Sequence, residues 1–188
     1  MKYTFYLLFA LSLSSYSTLA QDNFKSTKNG EKPRFFNRSE LSYSFGLNPT
    51  FNGQSTNAFR IKTVFGFAYP QYGFGIGIEN GSFKSANGSG GANFNTIAFT
   101  GNIHVLAKPF EYDGLNLFIK GGVGYAPKFF GYAKGFTYDG GAGVIIHTKK
   151  GRKYYIEALY DYQELSDYIL NNSKLEIKTL GIGIGTWF

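Results

Sequence analysis

The sequence predicts an all-β chain, an eight-stranded antiparallel transmembrane β-barrel, and three observations carry that expectation. The last nine residues, Leu180 to Phe188, alternate large apolar residues with glycine, the period-two pattern of a strand with two unlike faces. Seven further segments show the same alternation. The connections between them run long, short, long, short, as in barrels that cross a membrane with loops on one side and tight turns on the other. An apolar final strand with an open edge invites aggregation, and closing the sheet on itself removes that edge.

Residues 1–20 open with Lys2, continue through an apolar stretch with Leu7, Leu8, Phe9, Leu11 and Leu13, and end in Thr18-Leu19-Ala20. That is the layout of a secretory signal peptide, and the apolar run is shorter than the roughly 20 residues a spanning helix needs. Residues 21–38 are polar and basic without alternation, which predicts a flexible periplasmic leader before a barrel domain at 39–188. The first strand is expected over 39–47, with Leu41, Tyr43, Phe45 and Leu47 on one face. The second, 59–69, aligns Phe59, Ile61, Phe65 and Phe67, and the third, 72–80, sets Tyr72, Phe74, Ile76 and Ile78 against Gly73, Gly75 and Gly77. The fourth, 94–108, carries Ile97, Phe99, Ile103 and Val105. The fifth, 115–125, carries Leu115, Leu117, Ile119 and Val123. The sixth, 136–148, carries Phe136, Tyr138, Val144 and Ile146, the seventh, 152–163, Tyr154, Ile156 and Tyr160, and the eighth is 175–188. Many of these match the 9–11 residues that cross a bilayer at a tilt.

Composition agrees. Among 188 residues there are 25 Gly, 15 Tyr and 20 Phe, and no Cys, which excludes a disulfide framework and thiolate metal sites. Mean hydropathy is only −0.18, because in a barrel every second residue is polar. The formal charge is +7, and removing residues 1–20 takes away only Lys2. The basic residues are dispersed, and an exported chain does not meet nucleic acid, so nucleic acid is excluded as a partner. Attraction to surface polyanions is the natural consequence.

The opposite parity holds Glu40, Arg60, Lys62, Glu79, Lys120, Asp139, Glu157 and Asp161, interleaved with glycine and serine. If the apolar face meets lipid, these charges point inward. Eight strands enclose a lumen just wide enough for side chains to fill, and both charge signs are present to pair there. A plugged, ion-paired lumen is therefore expected. Val123 and Ile156 should face lipid, and Gly122 and Glu157, one step away, the lumen.

The alternation, the connection pattern and the terminal Phe188 together resemble the small eight-stranded outer-membrane barrels of the OmpA/OmpX type, and more loosely the outer-membrane β-barrel domain of Bacteroidetes. The resemblance covers 39–188 and implies a place in the cell outer membrane, with both termini on the periplasmic side. It also implies that Phe188 is the signal read by the barrel assembly machinery. Outer-membrane lipid and lipopolysaccharide are the expected surroundings, and a monomer the expected state.

A lipid A deacylase needs a serine nucleophile, a histidine base and an orienting carboxylate. Only His104 and His147 are present, and no serine stands two residues from His104. The period-two glycines do not form a phosphate loop, and no segment has the dense acidic pattern of a calcium site. No catalytic residue, cofactor or metal is expected. Recognition falls to the loops, where Lys128, Phe129, Phe130 and Tyr132 offer aromatics with a cation for surface contact. The function so read is structural, or adhesion and interaction through extracellular loops. A lipid A-modifying enzyme, a small porin and a soluble barrel with its apolar face inward remain as alternatives.

Overall fold

The computed structural model describes residues 33–50, 53–85, 93–129, 132–148, 152–166 and 174–188. They form eight strands: β1 (Arg34–Gly46), β2 (Thr56–Ala68), β3 (Tyr72–Ser85), β4 (Asn93–Leu106), β5 (Leu115–Ala126), β6 (Gly135–His147), β7 (Lys153–Ser166) and β8 (Lys174–Trp187). Each pairs antiparallel with the next, and β8 pairs back onto β1, closing the barrel. The predicted signal peptide and residues 21–32 of the leader lie outside the described residues.

The register fixes the barrel's shape. The pairing runs from Asn37 through Phe65, Ile76, Gly101, Val123, Tyr138 and Tyr162 to Lys178. The amide of Leu47 donates to the Lys178 carbonyl, so the circuit returns to β1 ten residues beyond its start. With a rise of about 3.3 Å per residue and about 4.8 Å between strands, this stagger implies a tilt of about 41° and a radius of roughly 8 Å. Each residue along a strand is then worth about 2.5 Å of height, and each step from β1 toward β8 about 3 Å.

The apolar parity points outward on every strand. Ile76 is 73% exposed, Ile103 63%, Val123 59%, Ile156 50% and Ile182 61%. Aromatics bound this band in two rings, with Phe35, Phe67, Tyr72 and Tyr154 toward the end that carries the termini. Tyr43, Phe45, Phe59, Tyr125 and Phe136 lie toward the other end. From the register the rings stand about 20 Å apart along the axis, close to the apolar band and flanking girdles of a membrane barrel. A soluble barrel with the apolar face inside is thereby ruled out.

Two features depart from the expected pattern. β1 begins at Arg34, so residues 34–38, expected in the leader and outside the domain starting at 39, belong to the barrel. The reason is an inversion of the pattern: Phe36 and Arg38 both point inward, each 1% exposed, so no apolar-out, polar-in alternation marks this stretch. The connections are also less unequal than expected. The strands extend further on the side away from the termini, and the 107–114 connection is as long as 127–134. Phe110 explains its length, because it folds under the barrel floor with its ring 5.7 Å from Trp187.

Candidate functional site

The lumen is built in layers. At the end with the termini, Phe36, Val64, Leu106, Phe118, Ile145, Tyr155 and Trp187 form an apolar floor. At the far end, Ala58, Phe83, Phe94, Leu165 and Ile177 form an apolar ceiling, with Phe83 and Phe94 stacked at 4.7 Å. Between the two lie the charges. Alternation predicted which residues point inward, but it gave no sign that aromatics at both ends would seal the ionic layer. Inward Phe36, Phe83, Phe118 and Trp187 were the missed signal: large residues on the polar parity at strand ends.

All eight predicted lumen charges face inward, and the structure brings them together in two groups. Nearer the floor, Lys120 Nζ lies 2.7 Å from Glu157 and also bonds Glu40. The Tyr155 hydroxyl donates to Glu40 at 3.3 Å. Nearer the ceiling, Arg60 pairs with Asp161 and lies 3.3 Å from Glu79, while Lys62 pairs with Asp139 and lies 3.6 Å from Glu79. Ser44 donates to Asp161 at 3.1 Å, and the Arg60 guanidinium sits 5.2 Å from the centre of the Phe83 ring. Removing these three long chains from water is costly unless each finds opposite charge, and here Arg60, Lys62 and Lys120 each lie against two carboxylates. Glycines supply the room. A Cβ on Gly183 would stand 2.8 Å from Glu157 Oε1, and one on Gly141 would stand 3.1 Å from Lys120 Cε.

Arg38 is a lumen cation that sequence reasoning missed, because it fell in the expected leader. It is 1% exposed, with its guanidinium carbon 5.4 Å from the centre of the Trp187 ring. His104 packs edge-on against Phe36 at 4.9 Å and Trp187 at 4.6 Å. His147 stands at the end of β6. Nε2 of each histidine has no hydrogen-bond partner among the described residues.

The rim away from the termini holds the predicted contact residues. Lys128 and Phe129 are exposed, Phe129 by 41%. The Tyr132 amide donates to the Phe129 carbonyl at 2.7 Å, and the Ala133 N–H donates to the Asn95 carbonyl at 2.9 Å. Phe130 lies outside the described residues. Phe188 stands at the opposite end, where it exchanges two backbone hydrogen bonds with Asn37, at 2.9 and 2.8 Å, and so locks β8 to β1. On the lipid-facing wall a groove of about 950 Å³, flanked by Phe65, Phe74, Ile76 and Val123, crosses the bare backbone of Gly101 and Gly121.

No family model matches the chain, and no curated protein matches it. Solved structures do. The chain is similar to Neisserial surface protein A (NspA), with a TM-score of 0.58 at 10% identity over 84% of this chain and 98% of that one. It is similar to the outer membrane protein OprG of Pseudomonas aeruginosa, with a TM-score of 0.51 at 12% identity over 87% and 99%. The outer membrane enzyme PagL aligns over 77% and 97% at 18% identity, with a TM-score of 0.43. The fold is thus that of the small eight-stranded outer-membrane barrels, and the lipid-facing band and inward charges are those of a membrane barrel.

Proposed function

We propose that the chain is a non-catalytic barrel of the cell outer membrane that acts as a structural element and as a surface platform, with its loops meeting lipopolysaccharide and external partners. The observation that carries this reading is the sealed lumen: an ion-paired middle closed by apolar layers at both ends. A filled lumen leaves the outer surface and the rim as the places where recognition can occur. Lys128 and Phe129 are the rim residues best suited to it, one offering charge to phosphates and the other an aromatic face.

Two measurements test this. Purified barrel inserted in planar bilayers is expected to give no conductance steps, and steady single-channel events would replace the platform by a pore. The double change Lys128→Ala and Phe129→Ala is expected to lower retention of the folded protein on immobilised lipopolysaccharide several-fold, with heat-modifiability on gels unchanged. Equal retention of wild type and variant would remove the rim from the reading.

A further inference from the structure

The 107–114 connection crosses the mouth of the barrel on the side of the termini, and its ends and its tip are held by different kinds of contact. At the ends the grip is hydrogen bonding to β5 and β6. The Ala107 N–H donates to the Leu117 carbonyl at 2.8 Å. Asn116, 1% exposed, clamps Lys108 both ways: the Lys108 N–H donates to Asn116 Oδ1 at 2.9 Å, and Asn116 Nδ2 donates to the Lys108 carbonyl at 2.8 Å. Gly114, at φ +117°, turns the chain back into β5, and its carbonyl accepts from the His147 amide at 3.3 Å. The tip reaches strands on the opposite side of the barrel. The Phe110 ring packs against Trp187 on β8, and Lys153 Nζ on β7 lies 4.1 Å from the centre of that ring. Glu111 pairs with Arg34 on β1, with the two side chains 61% and 46% exposed. A backbone bond from the Phe110 N–H to the Pro70 carbonyl, at 2.7 Å, joins the tip to the β2–β3 turn. An ion pair so exposed is weak and is screened by salt.

The floor that Phe110 covers is not wholly apolar. Three polar groups surround or belong to Trp187: its own indole Nε1, the Arg38 guanidinium 5.4 Å from the ring centre, and the His104 imidazole 4.6 Å from it. All three residues are buried. Trp187 Nε1, His104 Nε2 and the three guanidinium nitrogens of Arg38 have no hydrogen-bond partner among the described residues. A buried donor or acceptor without a partner carries its full desolvation penalty, and a charged one carries more. Closing the mouth therefore gains the apolar contact of Phe110 and keeps these groups dry at a cost. Opening it loses the contact and lets water reach them.

We propose that residues 107–114 form a flap, hinged at Lys108 and Gly114, whose tip swings off the floor and admits water to Trp187, Arg38 and His104 from the side of the termini. The hinge lies where the hydrogen bonds to Asn116 and His147 hold the backbone, and the tip where the fastening is one ring contact, one cation over that ring, one backbone bond and one exposed ion pair. Opposing terms of this kind make two states of similar free energy, and salt shifts the balance toward the open one by screening Arg34 from Glu111. The ceiling, with Phe83 stacked on Phe94, plays no part in the motion, so an open flap hydrates the floor without joining the two sides of the membrane. The flap does not depend on what the rim contacts.

Hydrogen exchange of the indole N–H provides the test, because Trp187 is the single tryptophan of the chain and gives one NMR signal. The folded barrel in detergent micelles is transferred to deuterated buffer, and protection of the indole is compared with that of the Ile103 backbone amide in mid-strand, each relative to its rate in the unfolded chain. In wild type the indole is expected to be clearly less protected than Ile103. Equal protection would mean that only global unfolding admits water, and overturns the proposal. Raising the salt from about 0.01 M to 1 M, which shortens the screening length from about 30 Å to 3 Å, is expected to speed indole exchange and leave Ile103 unchanged. Glu111→Gln in low salt is expected to speed it about two- to fivefold, the range an exposed ion pair supports, and to remove most of the salt response. Phe110→Ala is expected to speed it more than Glu111→Gln does. Glu164→Gln, which removes the same charge beside Lys174 at the opposite rim, is expected to change nothing. An indole rate insensitive to both salt and Glu111→Gln overturns the proposal even if Phe110→Ala does not fold, and so does an equal acceleration by Glu164→Gln.

Discussion

Replacing Ile76 by arginine tests the claim that the apolar face meets lipid at a definite depth. Ile76 is 73% exposed and sits on β3 between Phe74 and Ile78. Its cross-strand partners are Phe65 and Gly101, neither of which carries a negative charge to offset a cation. By the register, Ile76 stands about 10 Å above Tyr72 in one aromatic ring and about 10 Å below Tyr138 near the other. It is therefore close to the middle of the bilayer, with the headgroups on either side near the limit of an arginine's reach. An arginine at the midplane of a barrel costs about 2–4 kcal/mol, and near the interface about 0–1 kcal/mol. Ile76→Arg should lie in the first range and Tyr72→Arg nearer the second. Urea titration of barrels folded into phosphocholine vesicles, read by the fluorescence of the single Trp187 and by gel mobility, gives both values. On a surface facing water, the same change would stay within about 0.5 kcal/mol of wild type. Such a small value for Ile76→Arg would refute the reasoning that places this face in lipid.

Three further outcomes follow from the lumen and the closure. Lys120→Met strands Glu40 and Glu157 together and should destabilise by about 3–5 kcal/mol, while Glu157→Gln leaves Lys120 its bond to Glu40 and should cost less than half of that, both measured by urea midpoints. Deleting Phe188 removes the two hydrogen bonds to Asn37 and should lower the heat-modifiable protein in outer membranes far more than a change at Ser89; equal levels would remove its assembly role. Epitope tags at Gly53, Gly88, Gly131 or Asn171 should be reached by antibody on intact cells and a tag at Gly151 should not, and the reverse pattern would invert the barrel.

Much of the fold was legible because a membrane barrel writes its two faces into alternate residues. Leu41, Tyr43 and Phe45 against Glu40, Ser42 and Ser44 give the face of β1 without any knowledge of its neighbours. What the alternation could not carry was register. Arg60 pairs with Asp161 across the lumen, from β2 to β7, and no spacing along the chain announces that contact. The floor was hidden for a different reason. Phe36, Phe118 and Trp187 occupy the polar parity, so a reading by hydropathy treats them as breaks in the pattern, whereas in space they meet: Trp187 lies 6.1 Å from Phe36 and 5.5 Å from Phe118. The same inversion concealed the start of β1 and with it Arg38.

The layering also decides where function can reside. A stagger of ten over eight strands sets a radius near 8 Å, and at that width the interior is filled by side chains. The chain could have filled it with aliphatic residues alone, but a barrel apolar on both faces would have no preferred side for lipid. Charges on the inner face at mid-height, with glycines opposite them, remove that ambiguity, because turning β2 or β5 by one residue would place Arg60 or Lys120 in hydrocarbon. Apolar layers at the floor and ceiling then keep water from the ion pairs. The arrangement spends the interior on fixing register and rigidity. On the side away from the termini, β2, β3, β4, β7 and β8 continue past the aromatic ring, to Thr56, Ser85, Asn93, Ser166 and Lys174. Those extensions, about 10 Å by the register, lift the connecting loops clear of the bilayer on a stiff wall. Rigid support below and exposed loops above are what a recognition surface needs, and that is why the rim, rather than the lumen, is the place to look for a partner.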